Sequence, residues 1–186
     1  MGATSLGDFS LFGCPISGQV IPVSQCSDPT FAQEILGPGV VIFPEGCELF
    51  APADARVGVA LSTKDCLVYS PSDATVEFSL STKHALGLET ENGIKFLIHV
   101  GMDTNRLAGK GFEIFVKTGD QVKRGQKLLS FDPQVMEEQH CSLSTPFVFC
   151  NCKTGWEVDL LKTGFVAAGE DLLRLRPQPA SSTKTT

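Results

Sequence analysis

Two of the three histidines in this chain, His84 and His99, each close an apolar, strand-forming run, fifteen residues apart. The later run reads Gly93-Ile-Lys-Phe-Leu-Ile-His-Val-Gly-Met-Asp-Thr and delivers His99 to a Gly-x-Asp-Thr turn at Asp103 and Thr104. The earlier one ends in Thr82-Lys-His. A neutral imidazole nitrogen is a nucleophile near pH 7. A second imidazole can donate a hydrogen bond to charged oxygens gathering on the first. The hydroxyl of Thr82 can fix the tautomer and rotamer of His84, as the orienting member of a triad does. One charge-assisted hydrogen bond contributes roughly 1.5–3 kcal/mol. Realised only in the transition state, it is worth about ten- to a hundred-fold in rate. The group that suits such a pair is a phosphoryl, whose transfer needs positioning and charge stabilisation more than covalent help. For His99 alone the alternative is a satisfied core histidine; the company of His84, Thr82 and the turn favours chemistry.

The elements that must position these groups are short. Eighteen Gly, eleven Pro and thirteen Phe among 186 residues predict an all-β, antiparallel sandwich or flattened barrel with Gly-containing turns. Phe96, Leu97, Ile98 and Val100 call for burial around the His99 strand. Two short helices interrupt the strands. One spans 28–36, with Asp28 as N-cap and Pro29 at the first helical position. The other follows Asp132. A pattern Val-x-x-Gly-x-x-Leu-Leu occurs at Val122 and again at Val166, predicting strand, Gly turn and strand each time. Pro52-Ala-Asp-Ala-Arg-Val returns nineteen residues later as Pro71-Ser-Asp-Ala-Thr-Val, and Leu61-Ser-Thr-Lys as Leu80-Ser-Thr-Lys. Two copies are too few for a solenoid, so the repeat reads as an extra strand–turn unit. Only its second copy ends in a histidine. Residues 1–12 read as a flexible lead-in, 13–176 as one domain, and 177–186 as a disordered polar tail.

Composition narrows the function classes. The apolar share is 42% and the charged share 19%, as in a globular protein. A net charge of −6 argues against nucleic acid, which asks for a basic face, and suits a basic partner. No stretch has the anatomy of a signal peptide or the length of a membrane span. Leu6 breaks the myristoylation pattern that Gly2 invites. The seven cysteines are therefore expected to be reduced, in a cytoplasmic protein. Cys150-Asn-Cys152 has the wrong spacing for a zinc knuckle.

Taken together, these motifs resemble the glucose-type enzyme IIA proteins of the bacterial sugar phosphotransferase system. The resemblance runs from about Cys14 to Leu175. It includes Phe31-Ala-x-x-Ile-Leu-Gly-x-Gly, Thr82-x-His84-Ala, the run from Gly93 to Thr104, Gly-Asp-x-Val-x-x-Gly from Gly119 to Gly125, and Leu143-Ser-Thr-Pro146. It implies a fold of the duplicated hybrid motif type and no cofactor. His99 would accept a phosphoryl group from a phosphohistidine of the carrier HPr and pass it to a cysteine of an enzyme IIB domain. His84 would stabilise the phosphorylated form and Thr82 would orient His84. Asp28 and Asp103 would rim a shallow apolar face, containing Phe31, that greets HPr. Phosphorylation-dependent control of other partner proteins would be an added role. The nineteen-residue repeat, His140-Cys141 and the cysteine count depart from the family pattern. With no enzyme IIB or IIC segment in the sequence, a transport role calls for separate partners.

Two rival readings stand beside this one. A non-catalytic regulatory module would use the same face, and His84 and His99 could share a zinc ion with a partner's carboxylate. A zinc hydrolase of the lysostaphin type would use His99 and Asp103 as His-x-x-x-Asp. It needs a His-x-His pair downstream, and only His140 follows, leaving zinc short of a third protein ligand.

Overall fold

The computed structural model describes residues 9–45, 65–152 and 155–178. Most of the first repeat copy lies outside them. The chain forms β1 (Ser10–Gly13), β2 (Gly18–Pro22), helix α1 (Pro29–Ala32), β3 (Gly39–Pro44), β4 (Cys66–Tyr69), β5 (Ala74–Ser79), β6 (Ala85–Glu89) and β7 (Lys95–His99). It continues through β8 (Phe112–Ile114), β9 (Gln121–Val122), β10 (Lys127–Phe131), helix α2 (Pro133–Glu138), β11 (Thr145–Phe149), β12 (Trp156–Leu160), β13 (Gly164–Val166) and β14 (Asp171–Pro177). An eight-stranded sheet runs β13-β2-β3-β11-β7-β6-β5-β9, and two three-stranded sheets run β1-β14-β12 and β4-β10-β8. Every strand pair is antiparallel. The result is an open sandwich of sheets, not a closed barrel.

Alternation along the strands builds two apolar layers. Val40 and Ile42 of β3 enter the main core with Phe96, Ile98, Phe147 and Phe149. Phe12 meets Phe149 edge-on at 4.8 Å and Phe96 at 5.6 Å, a favoured arrangement for ring quadrupoles. Val41 points the other way. With Val23, Phe31 and Val148 it forms a second cluster on the outer face of the large sheet, and α1 lies over that face. Central strand β11 is therefore buried on both sides, TPFVF without a break.

Several boundaries shift from those expected. Helix α1 stops at Ala32, because Glu34 takes a left-handed φ of 52° and Gly37 one of 119°. β1 pairs with β14 from Ser10↔Leu175 onward, and Phe12 is fully buried, so the fold starts before residue 13. At the other end Pro177 still pairs with Trp156, and the Gln178 N–H donates to Gly155. The paired Val-x-x-Gly patterns do form strand–turn–strand units, with Gly125 and Gly169 at φ of 80° and 86°. Cys66 is disulfide-bonded, which corrects the expectation of reduced thiols throughout; Cys14, Cys26, Cys141 and Cys152 are free. No helix among the described residues is long and apolar enough to cross a membrane.

Candidate functional site

His99 is the last residue of β7, and the β6–β7 ladder pairs it with Ala85. Strict alternation would then put His84 on the opposite face of the sheet. His84 lies just outside β6, after Lys83, which holds a left-handed φ of 62°. Its carbonyl still accepts from the Val100 N–H at 2.7 Å. The turn brings the two rings edge to face, with centroids 4.7 Å apart at 75°. Behind His84 stands Phe112 at 6.4 Å, and against His99 stands Phe31 at 5.6 Å. Phe31 arrives through α1, whose N-cap Asp28 accepts from the Thr30 N–H at 2.8 Å.

Beyond His99 the chain turns sharply. Gly101 has φ 75°, and a Cβ there would lie 2.4–2.6 Å from Met136, Thr104 and the Ser142 carbonyl, so only glycine fits. Asp103 is itself left-handed at φ 59°. The Thr104 hydroxyl donates to the Val100 carbonyl at 2.9 Å. The loop is braced from the far side. The Met102 N–H donates to Ser142, and the Arg106 guanidinium donates to the carbonyls of Gln139 (2.6 Å) and His140 (3.0 Å). The Cys141 thiol donates to the Asp103 carbonyl at 3.8 Å.

These elements enclose a shallow depression of about 400 Å³, whose lining includes Asp28, Phe31, Thr82, His84, His99 and Asp103. All six residues singled out from the sequence thus meet in one place. Leu36, Leu80 and Met102 join them; they carried no chemical signal in the sequence beyond being apolar near a motif. His140 is not in the lining; it sits in the loop after α2. Among the described residues no three His, Cys, Asp or Glu side chains gather as a metal-binding group, so the zinc hydrolase reading gains no third ligand here.

The electrostatics favour neutral rings. Burial, then the nearby His84, pushes the His99 imidazole down to about 4, against weaker opposing pulls from the Gly101 backbone and the Asp28 carboxylate. Burial also lowers His84, opposed by the Thr82 backbone carbonyl. Each ring buries its Nδ1 without a hydrogen bond of good geometry. The half-buried His99 ring lines the depression with its Nδ1 turned away from solvent, which leaves Nε2 as the nitrogen open to reaction. A neutral imidazole nitrogen beside a second imidazole and the Phe31 ring is equipped to take an electrophilic group from another protein.

A family model for the EIIA 1 component of the phosphoenolpyruvate-dependent sugar phosphotransferase system matches residues 11–67 and again 57–154. The two matches overlap at residues 57–67, within the first copy of the nineteen-residue repeat. The chain is similar to a glucose-specific EIIA component of Oceanobacillus iheyensis, 40% identical over 157 residues and 84% of each chain. It is also similar to a beta-glucoside-specific EIIBCA component of Dickeya chrysanthemi, 35% identical over 93% of this chain and 24% of that one. Among solved structures, the glucose permease IIA from Mycoplasma capricolum superposes with a TM-score of 0.75 at 26% identity, covering 94% of this chain and 99% of that one.

Proposed function

The chain belongs to the EIIA 1 family of the phosphoenolpyruvate-dependent sugar phosphotransferase system, and from that membership we propose that His99 is the residue on which it carries the phosphoryl group. The observation that carries this reading is the edge-to-face pair of neutral imidazoles, 4.7 Å apart, in a depression that also holds Phe31, Leu36, Leu80 and Met102. Nε2 of His99 attacks the phosphorus held on a histidine of an HPr-like carrier. The N–P bond on the carrier breaks as the Nε2–P bond forms, and the carrier's imidazole leaves with the electron pair. A cysteine thiolate of an enzyme IIB domain then takes the group, forming an S–P bond while the Nε2–P bond breaks.

His84 serves the phosphorylated state. The phosphoryl oxygens bring negative charge beside its ring, which favours a proton on His84 and a charge-assisted hydrogen bond. Thr82 holds the turn from which His84 projects. Asp28 and Asp103 offer negative charge to a basic carrier, and Phe31 offers an apolar contact beside the reacting nitrogen. Enzyme IIB and IIC components act as separate proteins or domains downstream, and the setting is the cytoplasm.

Incubation with phosphoenolpyruvate, enzyme I and HPr tests this. The expected product carries one acid-labile phosphate, lost with His99→Gln. Absence of any phosphate with every carrier tried would overturn the reading in favour of a non-catalytic binding module.

A further inference from the structure

The sequence alternates along β5 in a way that should bury Phe78. Ala74 and Val76 are buried, and Glu77 is exposed, so period two would carry Phe78 inward. The ladder slips instead: Val76 pairs with Leu88, but Phe78 pairs with Gly87. One extra residue in β5 makes a bulge, a device that re-aims side chains. Phe78 is turned to the outer face and left 44% exposed. Its ring lies flat on Gly87, where a Cβ would meet three ring atoms at 2.2–2.7 Å. Gly87 pairs with Leu97, and two residues along the same face Ala85 pairs with His99. The exposed ring is thus on the His99 face. Leu80, 40% exposed, lines the His99 depression and continues the apolar surface from it. The nearest charge on the bulge, Glu77, is engaged with Lys95 at 3.3 Å.

We propose that Phe78 and Leu80 form a docking wing of the His99 depression, covered by an apolar side chain of the carrier protein that delivers the phosphoryl group. This deepens the reading of His99 and rests on it. The carrier must seat its phosphohistidine at Nε2 of His99, so its surface passes over whatever adjoins the depression. Asp28 and Asp103 ask that surface for positive charge, and the uncharged wing asks it for an apolar contact. Aromatic side chains are enriched at such contacts because they offer large rigid area at little entropic cost.

The test compares phosphorylation by phospho-HPr with phosphorylation by phosphoramidate, a small donor that needs no docking surface. With Phe78→Gln, the apparent KM for phospho-HPr should rise about tenfold, and the ratio of HPr-dependent to phosphoramidate-dependent rate should fall equally. Phe78→Leu, which keeps an apolar cover on Gly87, should stay within about threefold of wild type. Imidazole NMR signals and the melting temperature establish that each variant is folded. A folded Phe78→Gln with unchanged KM overturns the docking wing. Phosphoramidate labelling of His99 without transfer from any carrier also overturns it and leaves His99 reactive. Failure of both donors instead removes the His99 reading itself.

Discussion

His84 and His99 meet edge to face at 4.7 Å, although the ladder sets Ala85, not His84, opposite His99. The contact exists because His84 sits one residue outside its strand, after the left-handed Lys83. That arrangement gives the two rings unequal parts. Both rings line the depression, but His99 is half-buried whereas His84 is only 3% exposed, so His84 is placed to support a group carried on His99.

Substitution should separate the parts. His99→Gln is expected to abolish phosphorylation. His84→Gln should still accept a phosphoryl group but release it to the IIB cysteine about ten- to a hundred-fold more slowly, the worth of one charge-assisted hydrogen bond. Single-turnover transfer from the isolated phosphoprotein measures this; equal release rates would remove His84 from the chemistry.

The depressed imidazoles set a pH window. Burial holds both imidazoles below the ordinary histidine value of 6.5, His99 at about 4. Below 6.5 the unfolded chain binds protons that the folded chain refuses. The stabilisation is therefore complete above pH 6.5 and is lost as pH falls toward 4. For His99 it amounts to at most about 3 kcal/mol, since the ring is partly solvated. Urea denaturation at pH 7 and pH 4.5 should show the loss, and His99→Gln should flatten it. Phosphoryl acceptance should stay level between pH 8 and about 5, because His99 remains neutral throughout.

Gly101→Ala should destabilise the protein by about 2–4 kcal/mol. The new methyl would meet Met136, Thr104 and the Ser142 carbonyl inside 2.6 Å, at a backbone φ of 75°. Denaturant midpoints check this; a loss below about 0.5 kcal/mol would show that the turn can relax.

Arg106 reaches no lining residue by side chain, yet it ties the turn after Asp103 to the Gln139 and His140 carbonyls. Arg106→Ala should cost about 1–3 kcal/mol in stability. It should also raise the KM for the phosphodonor while leaving kcat near wild type, as expected when a rim loosens and the nucleophile stays in place. Arg106→Lys should recover only part of the effect, because one ammonium replaces a two-carbonyl fork poorly.

Much of this was legible in the chain itself. The alternation around Phe96 and Ile98, the Asp28 and Asp132 caps and the Gly125 and Gly169 turns are local events. They follow from side-chain period, capping chemistry and the steric freedom of glycine, all of which act over a few residues. The six candidate residues followed from residue type, spacing and family resemblance. The tertiary structure alone decided which surfaces meet. Asp28 and Phe31 come to His99 from about seventy residues away because α1 closes over the outer face of the large sheet. His84 faces His99 because β6 begins only at the next residue, and Phe78 faces outward because a bulge slips the β5–β6 register. Register between strands is a non-local choice fixed by packing on both faces at once, and no window of sequence around a single residue contains it.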